Sequence, residues 1–588
     1  SAASDVYKRQ TENRPFNYDS AKHAIQFLGQ AMIIGVDIGG TFTDLVLSDG
    51  KTLQIHKLLS TPENPAQAML DGLATMGDTS TIRFIAHGST VATNAILERK
   101  GARCVLITTN GFRDLLLIGR QNRPVLYDLH PQIAPPLIPR ERCFEVPERL
   151  DHTGEVIQPL DLDALDRVLD DIAGLGVEAI AVSLLYSYVN PLHEKQIRDR
   201  IVSRGILNED QIALSCEVLP EFREYERTST AALEAYVRPV MSRYLGHLEK
   251  SLPTGSLRVM KSDGGVISAR TASKQAILTA LSGPAAGVIG AFHLASLAGY
   301  DHIITLDMGG TSTDVALCPG APIYRADSEI DGLPLRTRVI DIETVGAGGG
   351  SIARLDSGGV LHVGPESAGA EPGPIVYGRG GTAITVSDAH AVLGRLFGEY
   401  FLGGTMPLEM DKAHHAMAEL ALSMNVTTQE AATGIIRLAN TNIDRAVRRV
   451  SIARGYDPRR FSLFAFGGAG GLHACKVAEG LGIPRVIIPR YPGVLCALGL
   501  LVADVTFDYS KSVLGLSSSK TMLIFDQILT QAYTDLVTEG FTSDKMLFVP
   551  QIDVRYVGQA YELTVPYTAD YPQAFDKAHE ERYGYTLR

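Results

Sequence analysis

The sequence contains no tryptophan and only six cysteines among 588 residues. The cysteines form no Cys-x-x-Cys pair and have no histidine at zinc-site spacing, so we predict neither a disulfide framework nor a structural zinc site. An excess of positive charge is also missing: 54 Lys and Arg stand against 66 Asp and Glu, a formal net charge of −12. This balance argues against a nucleic-acid partner. Reduced thiols and a cytoplasmic location are the expectation.

The sequence has no secretory signal pattern. Residues 1–31 are polar and lack an apolar core, and we expect them to be an extraneous or disordered tail before Met32. The stretch 275–300 has no Lys, Arg, Asp or Glu, but it contains Ser282-Gly283-Pro284, which is typical of a loop entering a buried helix. We therefore predict no membrane span.

The length and the alternation of strand-like and helix-like segments predict several α/β domains. We predict an N-terminal domain at 32–215, a second domain at 216–508, and a β-rich, incomplete C-terminal domain at 509–588. The Gly- and Pro-rich stretch 344–382 is predicted to be a long functional loop without regular structure.

One motif occurs twice. The segments 37–44 and 307–314 share the frame D-x-G-G-T-x-T-D, and apolar, strand-forming residues lie on both sides of each. Glycines in such a hairpin leave backbone N–H groups open to phosphate oxygens, and the threonines add hydroxyl donors. A single copy could equally be a tight turn with local Asp and Thr hydrogen bonds. Two copies favour a pair of hairpins that close on one triphosphate.

A third glycine turn follows the strand FSLFAF and leads into a helix, an arrangement that allows a purine and its ribose to approach closely. The three motifs together predict an ATP site, with its glycine turn formed by Gly467, Gly468, Gly470 and Gly471. The residues predicted to bind phosphate are Gly39, Gly40, Thr41, Thr43, Gly309, Gly310, Thr311 and Thr313.

Asp37 and Asp307 are the predicted catalytic residues. A carboxylate does not favour phosphate oxygens unless a cation lies between them, so we place both aspartates on Mg²⁺ or on its water ligands. Asp307 could instead orient a nucleophile. Asp44 and Asp314 are expected to hold the backbone of the two hairpins.

At these motifs the sequence resembles the actin, Hsp70 and sugar-kinase superfamily. More narrowly, it resembles the A-type (ATP-binding) subunit of the hydantoinase/5-oxoprolinase family, through blocks such as HGSTVATNAILERKGAR (87–103), SGPAAGV (282–288) and RYVGQAYEL (555–563). The resemblance implies a two-lobed actin-like (ribonuclease H-like) α/β fold with one phosphate hairpin in each lobe. Four positions depart from the family pattern: Gly471 replaces a proline, Ser89 a common threonine, His390 a common asparagine, and Cys496 a frequent serine.

The resemblance implies ATP-dependent hydrolysis of a cyclic amide, such as 5-oxoproline, a hydantoin or another lactam, by phosphorylation of the ring carbonyl oxygen. It also implies a B-type partner subunit, and we expect an oligomer. An ATP-dependent ketone carboxylase subunit stays open as the alternative, because the phosphate motifs do not separate the two. A non-enzymatic nucleotide switch is disfavoured by the family blocks between the motifs.

The candidate substrate residues are less sharply defined. His87, Thr90 and Asn94 stand at a strand end and a helix N-terminus, where an anionic or carbonyl group is readily received. Arginine can clamp a carboxylate with two parallel hydrogen bonds, and Asp388 neighbours the glycine-rich stretch. For each candidate a purely structural role is about equally open. The two arginine candidates are Arg120 and Arg123.

Overall fold

The computed structural model describes residues 32–39, 42–61, 64–76, 81–122, 126–128, 130, 134–252, 256–404 and 406–587. The tail predicted at 1–31 lies outside them. The described chain is a mixed α/β protein, which confirms the predicted class. Its described residues divide into two compact units, one within 32–219 and 223–506 and the other within 220–222 and 507–587.

The described strands are numbered along the chain. They are β1 Met32–Ile38, β2 Phe42–Ser48, β3 Leu53–Leu59, β4 Ile82–Gly88, β5 Cys104–Thr109, β6 Cys143–Val146, β7 Arg149–Leu150, β8 Val156–Gln158, β9 Ala179–Ser183, β10 Ile212–Leu214, β11 Ser256–Met260, β12 Val266–Ser268, β13 His302–Met308, β14 Thr313–Pro319, β15 Tyr324–Ile330, β16 Leu333–Ile340, β17 Ile342–Val345, β18 Ser351–Leu355, β19 Leu361–Ser367, β20 Ser462–Phe466, β21 Val486–Ile487, β22 Gln551–Val554 and β23 Leu563–Pro566.

The described α-helices are numbered in the same way. They are α1 Pro65–Thr75, α2 Val91–Leu97, α3 Leu115–Ile118, α4 Leu162–Ala173, α5 Leu192–Ser203, α6 Ser215–Val218, α7 Glu224–Ser251, α8 Ala269–Lys274, α9 Gly283–Leu297, α10 Val386–Val392, α11 Met410–Met424, α12 Thr428–Val450, α13 Gly470–Leu481, α14 Leu495–Val502, α15 Ser518–Thr538 and α16 Tyr571–Tyr583. No helix of the described chain is both long enough and apolar enough to cross a membrane.

Two sheets of the first unit repeat one topology. The first has the order β12-β11-β4-β1-β2-β3, and the other has the order β17-β14-β13-β20-β21. In each, an antiparallel hairpin (β1–β2 or β13–β14) pairs through its first strand with a parallel strand, β4 or β20. The registers also match, because Asp37 lies opposite Asp44 and Asp307 lies opposite Asp314.

A third sheet, of order β10-β9-β5-β6, is entirely parallel. Its strands are short, apolar and almost fully buried, which is typical of a parallel sheet covered on both faces. The chain runs from β5 to β6 on one side and then places β9 and β10 on the other side of β5. The direction of winding therefore reverses between β5 and β9.

Helices α9 and α14 pack closely because both carry small residues at their crossing. A Cβ atom added at Gly499 of α14 would lie 1.9 Å from the carbonyl oxygen of Ala286 in α9. The other side of α14 packs on β1, where a Cβ at Gly35 would lie 2.0 Å from the Ala497 carbonyl oxygen. In turn, α9 shares a hydrophobic cluster with β13 and β20. The α9–α14 pair thus connects the two repeated sheets.

Two sequence predictions are wrong. The stretch 344–382 is not without regular structure, because β18 and β19 pair as an antiparallel hairpin within it. Its strand segments include Ile352 of β18 and Val363 of β19. The C-terminal region is not β-rich in its described part, since helices of 21 and 13 residues flank a single two-stranded sheet. Apolar residues there recur at helical spacing, and Ile552, Val565 and Phe575 form a small core.

We predict that Gly499→Val lowers the thermal unfolding temperature clearly, because overpacking of a close helix crossing costs about 1–3 kcal/mol or more. The control is Gly246→Ala in α7, where an added Cβ meets no atom of the described chain within 4 Å. Thermal unfolding followed by circular dichroism measures both variants. Equal unfolding temperatures for Gly499→Val and the wild type would contradict the packing described.

Candidate active site

Asp37 and Asp307 occupy equivalent positions, each at the penultimate residue of its strand in the repeated sheets. The surrounding protein raises the pKa of Asp37 to about 8, first through burial and then through the charges of Asp44 and Asp307. Burial also raises the pKa of Asp307 to about 7, with a contribution from Asp314. The fold therefore gathers carboxylates from both hairpins at one place.

Asp44 and Asp314 are bonded to the next strand of their own sheets. Lys57 Nζ of β3 donates to Asp44 Oδ1 at 2.5 Å, and Thr344 Oγ1 of β17 donates to Asp314 Oδ1 at 2.5 Å. Lys57 also lowers the pKa of Asp37, against the larger effect of burial. Both carboxylates are therefore bonded to side chains of the neighbouring strand, and a bond to the hairpin backbone stays a prediction.

The tip of the second hairpin has the character of an anion site. Gly309 N–H donates to the Ser312 carbonyl at 3.1 Å, which closes the turn. The next three amides, of Gly310, Thr311 and Ser312, have no hydrogen-bond acceptor within the described ranges. Gly310 and Thr311 are exposed. Consecutive free N–H groups in a turn form a concave site that favours anions.

The corresponding tip of the first hairpin, Gly40 and Thr41, lies outside the described residues. Gly39 is described: its N–H donates to the Phe42 carbonyl at 3.0 Å, and its carbonyl accepts from Ser60 Oγ at 2.7 Å. The two hairpins thus close with the same type of backbone bond.

Thr43 and Thr313 are fully buried. Thr43 Oγ1 lies 3.0 Å from Ser60 Oγ, and Thr313 Oγ1 donates to the Ala347 carbonyl. Both hydroxyl groups therefore brace their hairpins from within. The exposed backbone amides, rather than these hydroxyls, are the donors available to a ligand.

The glycine turn after β20 packs directly on the end of β13. Gly467 has φ +80°, and a Cβ there would lie 2.4 Å from Asp307 Oδ1. Ala469 N–H donates to the Met308 carbonyl at 2.9 Å, and the turn then opens α13 at Gly470 and Gly471. Gly468 and Gly471 are exposed. The turn therefore lies directly beside Asp307, and its adenosine role stays a prediction.

Two groups beside the aspartates, the strip Gly349–Gly350 and Cys496, were not predicted as site residues from the sequence. Gly349 and Gly350 donate N–H groups to the carbonyls of Gly309 and Gly310, at 3.0 and 2.6 Å, so this glycine strip supports the second hairpin. Its signal was the run Gly-Ala-Gly-Gly-Gly. Cys496, at the start of α14, lies with Sγ 3.5 Å from Asp307 Oδ2. Burial and the neighbouring aspartates raise the pKa of this thiol, which therefore stays protonated and donates.

His87 lies in the interior rather than at a ligand surface. Its Nδ1 is 3.2 Å from the Val36 carbonyl, which accepts from it, and its Nε2 is 2.7 Å from the Tyr244 hydroxyl. Burial lowers the pKa of His87 to about 4, so the ring is neutral at pH 7. The side chain fixes the end of β4 next to β1.

Asp388 is a buried helix cap. Its carboxylate accepts from the Val376 amide at 2.7 Å and from both the amide and the hydroxyl of Thr385 at 2.8 Å. The residue completes a capping box at the start of α10. These bonds occupy both of its oxygens, and they explain its position without a substrate.

Thr90 and Asn94 lie at the start of α2, where Thr90 is half-buried and Asn94 is exposed. The loop before α9 packs here, since Ser282 Oγ donates to the Ser89 carbonyl at 3.2 Å. Arg120 lies elsewhere, on the wall of a cavity beside the parallel sheet, where it forms an ion pair with Glu226. Arg123 lies outside the described residues.

The two aspartates fit a Mg²⁺ site. The described part of the chain contains no group of three or more His, Cys, Asp or Glu residues placed to hold a metal. A Mg²⁺ ion usually takes one or two protein carboxylates and completes its shell with water and phosphate oxygens. Burial, and after it the neighbouring carboxylates, raise the pKa values of Asp37 and Asp307, and a bound cation would favour their ionised forms.

Two family models match the sequence. The hydantoinase/oxoprolinase N-terminal region matches residues 33–205, and hydantoinase/oxoprolinase matches residues 227–509. Among relatives, the caprolactamase subunit alpha of Pseudomonas jessenii is 36% identical over 91% of this chain and 80% of its own length. The acetophenone carboxylase gamma subunit of Aromatoleum aromaticum is 34% identical over 90% and 77%. The 5-oxoprolinase of Dictyostelium discoideum is 31% identical over 97% of this chain but 50% of its own.

Two solved structures, of a caprolactamase and of an acetone carboxylase, are also similar to this chain. The ATP-dependent caprolactamase from Pseudomonas jessenii superposes with a TM-score of 0.82 at 32% identity, covering 95% of this chain and 85% of that one. A nucleotide-free acetone carboxylase superposes with a TM-score of 0.75 at 28% identity, covering 94% and 85%. The two family models together cover most of the described protein, and each of these relatives and structures matches at least 90% of the chain. The chain belongs to the hydantoinase/oxoprolinase family.

Proposed function

We propose that this chain is the A-type, ATP-binding subunit of an enzyme that hydrolyses a cyclic amide, either a lactam or a hydantoin. The observation that carries the proposal is the pair of matched sheets whose D-x-G-G hairpins bring Asp37 and Asp307 together. The similarity to an ATP-dependent caprolactamase over 95% of the chain supports the substrate class. We further propose that the repeated sheets are the two lobes of an actin-like ATPase.

In the proposed reaction the ring carbonyl oxygen attacks the γ-phosphorus of ATP and ADP leaves. Water then opens the phosphorylated ring, and phosphate is released. The free amides of Gly310, Thr311 and Ser312 would hold phosphate oxygens, which is preorganised stabilisation of the charge in the transition state. Asp37 and Asp307 would hold Mg²⁺, which would neutralise phosphate charge. Gly467 and its turn would accept the adenosine next to Asp307.

We also propose that a B-type subunit completes the enzyme, in a cytoplasmic hetero-oligomer. The subunit names of the caprolactamase and acetophenone carboxylase relatives support a multi-subunit assembly. All six cysteines are free thiols, which supports a reducing compartment. We also propose that Thr90 and Asn94 contact the substrate.

An ATP-dependent ketone carboxylase is the second candidate. The similarity to acetone carboxylase at a TM-score of 0.75, and to an acetophenone carboxylase subunit, favours it. Both chemistries would use the same aspartates and hairpins to activate an oxygen nucleophile. The two candidate functions differ in the substrate that is activated and not in the ATP site.

The proposed activity predicts ADP release that depends on a lactam or hydantoin and not on bicarbonate, in the presence of the partner subunit. A coupled ADP assay over lactams, hydantoins and ketones, each with and without bicarbonate, measures this. Asp307→Ala should reduce turnover by a factor of about 100 or more, the scale of losing one preorganised transition-state contact. ADP release that requires a ketone plus bicarbonate would favour the carboxylase instead.

We predict that Gly467→Ala reduces ATP-dependent turnover by about tenfold or more, because the added Cβ would displace the Asp307 carboxylate 2.4 Å away and because alanine is strained at φ +80°. Gly434→Ala in α12 is the matched control, since its added Cβ meets only a leucine methyl at an ordinary 3.7 Å. Turnover is compared at equal folded concentration. Wild-type activity in Gly467→Ala would remove this turn from the site.

We predict that Asp37→Asn stabilises the nucleotide-free and metal-free protein increasingly as pH rises. The pKa of Asp37 is raised from 3.8 to about 8 on folding, so the native state keeps a proton that the unfolded state has lost between these pH values. Wild-type stability should therefore fall across that window, by about 1.4 kcal/mol for each unit of pKa difference at most. Thermal unfolding from pH 5 to 9 measures the difference.

The exposed Asp171 of α4 provides the control variant, Asp171→Asn. In the wild type, Mg²⁺ with ATP should restore stability most strongly at the alkaline end, where both aspartates are ionised. A constant difference between Asp37→Asn and wild type at every pH would contradict the charge crowding at this site.

A further inference from the structure

A cavity of about 700 Å³ lies beside the parallel sheet β10-β9-β5-β6. Its wall is built by residues that follow three neighbouring strands: Phe112 and Leu115 after β5, Arg149 and Leu150 after β6, and Tyr186 after β9. The cavity therefore lies outside the carboxyl ends of these strands. None of its lining residues belongs to the aspartate cluster.

The topology marks this position as a ligand site. In open parallel sheets, ligands bind outside the carboxyl ends of the strands, at the point where the winding direction reverses. Here that point lies between β5 and β9, and residues following both strands line the cavity. The volume is within the range of about 300–1,000 Å³ that small-molecule sites occupy.

The cavity presents a cation and an anion that are available to a ligand. Arg149 stacks its guanidinium over the Phe112 ring, 5.6 Å from the ring centre, and makes no side-chain hydrogen bond or ion pair within the described chain. Glu224, at the first position of α7, likewise has no ion-pair partner among the described residues. By contrast, Arg120 and Glu226 on the same wall neutralise each other.

Backbone strain accompanies these charges. Tyr186 and Arg223 are non-glycine residues in the left-handed region, with φ of 57° and 79°, and both line the cavity. Such conformations cost of order 1–3 kcal/mol each and cluster at ligand sites. They hold the side chains that follow β9 and precede α7 against the cavity.

We propose that this cavity is a second binding site, distinct from the aspartate cluster, and that it binds a small zwitterionic amino acid. The ligand carboxylate would take the planar fork of Arg149, and the ligand ammonium would pair with Glu224. This ligand class follows from the charges of the wall. Hydrolysis of a lactam ring frees one amine and one carboxylate on the same molecule, so the link between this site and the reaction product rests on the proposed function.

Isothermal titration calorimetry of the full chain tests the site, with 6-aminohexanoate and L-glutamate as probes. Hexanoate and hexylamine are the matched ligands that each lack one charge. At least one zwitterion should bind saturably and about tenfold or more tighter than either single-charge ligand, since two charge-assisted contacts form instead of one. Failure of both zwitterions to bind, or equal binding of hexanoate, would overturn the proposal.

Variants of Arg149 and Glu224 test whether the amino acid binds in this cavity. Arg149→Met should weaken it about tenfold or more, Arg149→Lys should retain part of it, and Glu224→Gln should lower the preference for the zwitterion over hexanoate. The exposed Arg167 of α4 gives the control, Arg167→Ala, which should bind as wild type does. Thermal unfolding verifies that each variant is folded. Unchanged binding in folded Arg149→Met and Arg149→Lys would show that the amino acid binds elsewhere.

The same preparations separate this proposal from the proposed function. Amino-acid binding that depends on Arg149, in a protein that hydrolyses no lactam with its partner subunit, would contradict only the proposed function. Lactam-dependent ADP release without Arg149-dependent binding of either zwitterion would contradict only the second site.

Discussion

Burial of carboxylates at the ends of β1 and β13, together with their mutual repulsion, is the constraint on which the candidate site depends. Asp37 and Asp307 lie where protein atoms remove much of their water, and Lys57 supplies the nearby positive charge that acts on Asp37. An arrangement of this kind lowers the stability of the empty protein at neutral and alkaline pH. It becomes favourable when a cation and a polyphosphate enter, because the carboxylates then serve as ligands. The same arrangement of Asp37 and Asp307 therefore destabilises the empty protein and would form the proposed ATP site.

The small residues of the fold are what allow this geometry. Gly35, Gly290 and Gly499 let α14 approach both β1 and α9, so Cys496 at the start of α14 comes to lie beside Asp307. Gly467 leaves room for the Asp307 carboxylate itself. These contacts leave little free volume, and a side chain added at Gly35, Gly290 or Gly499 would meet backbone atoms first. The glycines act through close packing as much as through conformational freedom.

Much of this arrangement could be predicted from the sequence, because the duplicated hairpin and the glycine turn are local patterns with few alternatives. The roles of other residues depend on contacts between distant segments. His87 and Asp388 stand next to informative motifs, yet their bonds to Tyr244 and Val376 make them internal supports. Arg120 was predicted beside the substrate, but strand order places it at a separate cavity with Arg149, a residue that no motif marks. The C-terminal region was predicted as β-rich from one alternating segment, 551–567, and the two helices that flank its strands were missed.

The central claim is that the two hairpins bind one Mg²⁺-bound triphosphate. A crystal structure with a non-hydrolysable ATP analogue and Mg²⁺ tests it most directly. We predict phosphate oxygens within about 2.7–3.2 Å of the amides of Gly310, Thr311 and Ser312, a metal between Asp37 and Asp307, and the adenosine at the Gly467 turn. A nucleotide bound elsewhere, with these amides and both carboxylates free, would contradict it.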